Sequence, residues 1–168
     1  MNGRGVPQCS IECLRMYTTV LVIHSVIRWI VLATGLVATV RGITGWRSGR
    51  PWTLSDERAG MWFLASLDLQ ILLGLVVYFF LSPITHDALR NVGEVMGNSS
   101  LRFWTVEHPF GMLLGITLAH IGRARTRKVP HDARRHRIAA IFFTLALLAI
   151  AASIPWPGWP QARPLFRW

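Results

Sequence analysis

Charge is what this sequence has least of. Only 15% of its 168 residues are Asp, Glu, Lys or Arg, against about 25% in an ordinary soluble domain. With 52% hydrophobic residues and a mean hydropathy of +0.38, the chain is too apolar for a soluble domain. Its length fits one domain, which excludes a catalytic domain beside a membrane anchor. It has no H-E-x-x-H, no phosphate-binding glycine loop and no G-x-S-x-G turn, so hydrolase and nucleotide readings have no support. Its two cysteines, Cys9 and Cys13, form no metal-site spacing with other cysteines or histidines. A secretory leader pattern, internal repeats and paired broken helices are also missing, and a small transporter therefore finds no footing.

What is there is apolar sequence in four blocks, at about 17–40, 59–81, 101–121 and 138–154. Each is long enough, or nearly so, to cross about 30 Å of hydrocarbon. Breakers agree with these cuts: Gly42, Gly45, Gly49 and Pro51 follow the first block, Ser82-Pro83 closes the second, and Pro155 and Pro157 stop the fourth. Ser99 or Ser100 is expected to cap the third. The expected fold is all-α, an integral membrane four-helix bundle running up-down-up-down over residues 16–157. A polar extension (1–15) precedes it and a Pro/Trp-rich tail (158–168) follows. Translation from Met16 would lose nothing from the bundle.

The net charge of +10 looks like a nucleic-acid signal until the charges are placed. Arg41, Arg47, Arg50 and Arg58 follow the first span, and seven more basic residues lie between Arg123 and Arg137. These two connections hold eleven of the eighteen basic residues and fall on one side of a four-span chain. The positive-inside bias makes that side cytoplasmic, with both termini outside, and points to a lipid bilayer rather than nucleic acid as partner. Tryptophans suit two interfacial belts: Trp46, Trp52 and Trp62 inside, Trp104, Trp156 and Trp159 outside.

Ionisable residues within spans are costly and face the bundle interior by default. Here they are His24 and Arg28 in the first span, Asp68 in the second, and Glu107, His108 and His120 in the third, with Gln70 as a neutral companion. At about 1.5 Å rise per residue, His24 and His108 both lie about 10 Å below the outer surface on different helices. Arg28 and Asp68 are level near the midplane and form an expected ion pair, with Glu107 as the other candidate partner of Arg28. On the third span Gly111 and Gly115 make a G-x-x-x-G spacing that admits a helix or a flat ligand; Gly74 offers a similar gap on the second. Two level histidines beside glycines are what a bis-imidazole haem b requires. Structural polar contacts, or a quinone or proton-relay site, use the same residues. Pro109 leaves two cases. A continuous helix would lose the bond to the Thr105 carbonyl and kink beside a buried His108; a helix starting at Pro109 would put Glu107 and His108 near the surface. A second haem is not expected, because the second span has no histidine level with His120. His86, His131 and His136 read as solvated loop residues.

The stretches from Tyr17-Thr-Thr to His24-Ser-Val-Ile-Arg28-Trp29, Gln70-Ile-Leu-Leu-Gly74, Arg102-Phe-Trp-Thr-Val-Glu107-His108-Pro109 and Ile154-Pro-Trp-Pro157 carry a resemblance. Over 16–157 the chain resembles a family of small four-span bacterial membrane proteins often labelled cytochrome b. Better-known prokaryotic four-span cytochromes b place a tryptophan directly after the first-helix histidine. Ser25 stands there in this chain, so the likeness to them is one of architecture. The resemblance adds to the haem reading of these residues, and the leading expectation is a bacterial inner-membrane protein passing one electron through a single haem b near the outer face, between quinone and an outside carrier. His24 and His108 would be its axial ligands, with Arg28, Gly111 and Gly115 around the cofactor. The rival expectation is a non-catalytic accessory subunit of a larger respiratory or photosynthetic complex, whose tail Pro155-Trp-Pro-Gly-Trp-Pro160, with Phe166 and Trp168, docks to a partner or anchors at the interface. In that case Arg28, Asp68, Gln70, Glu107 and His120 form a structural network.

Overall fold

The structure, a computed structural model, describes residues 11–162. It is helical, with no strand among the described residues. Helix α1 runs Ile11–Ser48 and stops where Gly49 takes a positive φ of 64°. Helix α2 runs Leu54–Val76 and widens into a π turn, Val77–Leu81. Two short helices follow, α3 (Pro83–Arg90) and α4 (Val92–Gly97). One helical run, α5 (99–128), contains Ser99–Arg102, a π turn at Phe103–Glu107 and His108–Lys128. Helix α6 is Asp132–Ala152. Residues 11–15 of the expected polar extension thus belong to α1. Cys9, Arg163, Phe166, Arg167 and Trp168 lie outside the described residues.

Among the described residues, three helices are long and apolar enough to cross a membrane: Glu12–Ser48, Leu54–Leu81 and Asp132–Ala152. The helix expected over 101–121 is present as α5 but is not among these three. A π turn interrupts it before His108, and it ends in the basic run Arg123, Arg125, Arg127 and Lys128.

Helix α1 packs on both α2 and α6, and α6 packs on α5; α2 and α5 meet over a shorter stretch. Small residues set the close crossings. A side chain on Gly42 would run into the backbone of Ala140, and one on Gly115 into Ile150. The core between the helices is Val31 and Ala38, Phe63 and Leu67, Ala119, and Phe143, Ala146 and Ile150, with Phe63 and Phe143 edge to face at 5.7 Å. Large apolar side chains also cover the outer surface, Leu72, Phe110 and Leu148 among them. A soluble bundle would keep that surface polar.

Local chemistry explains the breaks. Pro109 has no N–H for the Thr105 carbonyl, and the Tyr78 hydroxyl donates to that carbonyl instead at 3.0 Å. The π turn before Pro109 keeps the helix continuous, with the His108 N–H on the Phe103 carbonyl. At the end of α2, Thr85 Oγ1 donates to the Tyr78 carbonyl and His86 Nε2 to the Phe79 carbonyl, at 2.7 and 2.8 Å. Asn98, rather than Ser99 or Ser100, caps α5: its side chain accepts from the Ser100 and Leu101 N–H groups. Trp156 Nε1 donates to the Ala151 carbonyl at the end of α6, so this tryptophan helps to close the helix.

Candidate functional site

The two basic connections share one end of the bundle. Asp56, whose side chain is only 2% exposed, accepts from Arg41 Nε at 2.9 Å and Arg50 Nη2 at 2.6 Å. Its other oxygen caps α2 through the Thr53 N–H and hydroxyl. Glu57 binds Arg123 at 2.6 Å and lies 3.6 Å from Arg135, which ties α2 to α5 and α6. Sequence reasoning counted these arginines for topology and passed over both carboxylates. The signal was there, since Thr53-Leu-Ser-Asp56 has the S/T-x-x-D/E spacing of a capping box. His136, expected on the surface, is fully buried between Gly45 and Trp52, whose ring centre is 4.8 Å away. His86 and His131 are exposed, as expected.

At the opposite end α1, α2 and α5 enclose a cavity of about 370 Å³, with Ile150 and Ile154 on its floor. That volume falls within the range of small-molecule sites, about 300–1,000 Å³. Its walls are mostly apolar, and its polar groups converge from three helices: His24, Ser25 and Arg28 from α1, Gln70 and Tyr78 from α2, His108 from α5. The structure therefore brings His24, Arg28, Gln70 and His108 together.

His108 is held on several sides. Phe103 and Trp104 lie against it at 6.0 and 5.8 Å between ring centres. Its Nδ1 is 2.8 Å from the Ser153 carbonyl. A carbonyl only accepts, so Nδ1 carries the proton and Nε2 keeps its lone pair. This is the second-shell support that metal-binding imidazoles use. Gly111 makes it geometrically feasible. A side chain there would overlap Ser153, so its absence lets α5 approach α6 until His108 reaches that carbonyl. Gly111 and Gly115 thus face α6 and do not line the cavity, which corrects their expected place around a cofactor. Their spacing serves helix packing.

His24 sits over Gly74, where a Cβ would come within 3.3 Å of its Cε1. Its Nε2 is 3.0 Å from the Gln70 amide nitrogen, while His24 Nδ1 and Gln70 Oε1 are buried without a hydrogen-bond partner. Turning the amide end for end does not help, because one end of it and Nδ1 stay unmet either way. Buried polar groups left so are the exception in folded proteins, and a ligand would satisfy them.

The two imidazoles lie 6.5 Å apart between ring centres, with planes at 63°. An atom bound by both needs about 2.0 Å to each nitrogen plus about 1.1 Å from nitrogen to ring centre, so about 6 Å in all. The separation is close to what one atom held between two imidazoles needs. Arg28, in the cavity wall and 5.5 Å over the Trp29 ring, supplies a cation suited to haem carboxylates.

The remaining expected network divides differently. Asp68 hydrogen-bonds His120 at 2.8 Å, and Glu107 accepts from Arg102 at 2.7 Å, both on the outside of the bundle. Neither carboxylate has Arg28 as the partner expected from depth. Asp68 is level with Arg28 but points away: Leu67 and Gln70 take the inward face of α2. His120 is correspondingly exposed. Comparison with protein-family models, with curated proteins and with solved structures finds no match for this chain.

Proposed function

We propose that the chain crosses a bacterial cytoplasmic membrane four times, both termini outward, and holds one haem b between His24 and His108 as a one-electron carrier. The observation that carries this reading is the pair of imidazoles 6.5 Å apart across the cavity, one with its tautomer fixed and the other with an unmet buried nitrogen. For α5 as a fourth span, the support is its exposed apolar face of Phe110, Leu113 and Leu114, which matches the lipid-suited faces of the other three.

Bound there, the haem would supply a reversible one-electron couple. The chain's own residues do the rest. His108 is oriented by the Ser153 carbonyl, Gln70 positions His24, and Arg28 offers charge for the carboxylates. The apolar wall of Leu67, Ile150 and Ile154 keeps water from the site. Quinone on the membrane side and a soluble carrier outside are the expected partners.

Reduced-minus-oxidised visible spectra of the protein purified in mild detergent from its native membrane test this. The expected result is a b-type spectrum in the wild type and its loss in His24→Ala and in His108→Ala. A folded wild-type protein without haem would overturn the reading. It would make His24, Gln70 and His108 the structural network of an accessory subunit.

A further inference from the structure

Between Leu67 and Gln70, both turned inward, Asp68 stands on the outside of α2 near the middle of that helix. His120 of α5 meets it there, Nε2 to Oδ1 at 2.8 Å. Half of each side chain is exposed, 51% for Asp68 and 50% for His120. In the four-span arrangement proposed above, on which this inference rests, that surface faces hydrocarbon. An ionisable pair open to lipid is expensive, and such residues ordinarily face other protein.

The chemistry of the pair says what covers it. The bond between them uses one carboxylate oxygen and one ring nitrogen. What remains is an acceptor, Oδ2, and the second ring nitrogen, Nδ1, which donates when the ring carries both protons. A second copy related by a two-fold axis along the membrane normal brings the same two groups in the opposite order. His120 of one copy then meets Asp68 of the other, and both leftovers are satisfied twice over. Such self-complementarity is the mark of an isologous contact. Flanking residues suit a close approach. Ala65 on α2 and Thr117 on α5 stand about one turn to either side of the pair, both exposed and both small.

We propose that this chain pairs with a second copy of itself along the α2–α5 seam, with Asp68 and His120 of both copies closing into one hydrogen-bonded ring. The interface needs the spanning arrangement but not the haem.

The test uses the full chain in native membranes, with Cys9→Ser and Cys13→Ser as background. Single variants Ala65→Cys and Thr117→Cys are treated with a short bis-maleimide, and Leu148→Cys on α6 serves as the control surface. The expected result is a conjugate of twice the 19.0 kDa chain mass from Ala65→Cys or Thr117→Cys and none from Leu148→Cys. Asp68→Leu or His120→Leu should lower the yield about tenfold, the value of one to two kcal/mol of interhelical hydrogen bonding. A dimer from Leu148→Cys alone, a conjugate of another mass, an unchanged yield in both leucine variants, or no conjugate from a protein that resists carbonate extraction would each overturn the proposal. Release of the chain by carbonate would instead overturn the spanning arrangement itself, and the dimer with it.

Discussion

The two ends of this bundle solve opposite problems with the same helices. At the basic end Asp56 and Glu57 are each shared by arginines, which ties the connections and α1, α2, α5 and α6 together. At the cavity end the polar groups are two imidazoles, an amide, hydroxyls and the Arg28 guanidinium, and His24 Nδ1 and Gln70 Oε1 beside the cavity are among the buried atoms with no hydrogen-bond partner. One end has its two carboxylates saturated and binds the helices to one another; the unmet nitrogens of His136 there are packed against Gly45 and Trp52 and do not line the cavity. The other is left incomplete, which lowers stability and marks a place built for something else. The difference teaches where to look for function in an apolar bundle: at unmet polar groups that line a cavity, not at the densest ones.

The largest effect expected from this contrast is at Asp56. Asp56→Ala removes the α2 cap and leaves Arg41 and Arg50 facing each other without a counter-charge, at a cost of about 3 kcal/mol. Thermal unfolding of the detergent-solubilised protein reads it directly. In the same protein His24→Ala should cost less, about 1–2 kcal/mol, because its ring lines the cavity and its one hydrogen bond is to the buried Gln70 amide. Equal losses at the two positions would break the comparison and make the outer polar groups structural. Next in size is Gly45→Ala, where a methyl group would overlap the buried His136 ring and cost about 2 kcal/mol. Gly74→Ala meets His24 only at 3.3 Å, so its effect should be smaller in unfolding and visible mainly in the spectrum of a loaded site.

Much of this fold is legible in the sequence, and what is not has one physical root. Apolar run length, the breakers and the basic loops place all four long helices, and the missing Pro109 N–H correctly directs attention to the Thr105 carbonyl. Depth follows from the rise per residue, which puts His24 and His108 level. Rotation about each helix axis does not follow. In a soluble helix the apolar stripe reveals the inward face, but a helix apolar all round offers no such mark. Asp68 was therefore paired by depth with Arg28, though it stands on the outside with His120. Gly111 and Gly115 were given to a cofactor on the same ground, yet face α6. The charged neighbours of His136 mark its stretch as surface, but the rotation of α6 turns this one side chain inward against Gly45 and Trp52. The capping box at Thr53 and Asp56 needed no structure to be seen.

Tyr78 sharpens the comparison at the cavity end, where a single hydroxyl repairs a backbone break. Tyr78→Phe leaves the Thr105 carbonyl unmet and should cost about 1 kcal/mol. Hydrogen exchange should rise in 103–109 before it rises in α6. The effect should shrink in a Pro109→Ala background, because an alanine N–H can take the same carbonyl. A double-mutant cycle with no coupling would show that Tyr78 holds nothing there.

The smallest expected effect concerns two ion pairs of nearly equal length. Arg102–Glu107 at the cavity end is 2.7 Å and Arg123–Glu57 at the basic end is 2.6 Å. Length alone would rate them alike. Burial separates them: Glu107 and Arg102 are 46% and 42% exposed, whereas Arg123 is 13% exposed and shares Glu57 with Arg135. A water-exposed pair gains little from its Coulomb term and gives up side-chain freedom to form. Glu107→Gln should therefore change the unfolding midpoint by the equivalent of about 0.5 kcal/mol or less. Glu57→Gln, which leaves Arg123 and Arg135 crowded together with less to neutralise them, should cost clearly more and keep most of its effect in high salt. Equal responses would mean that the basic end is held by packing, with its arginines serving orientation in the membrane and little else.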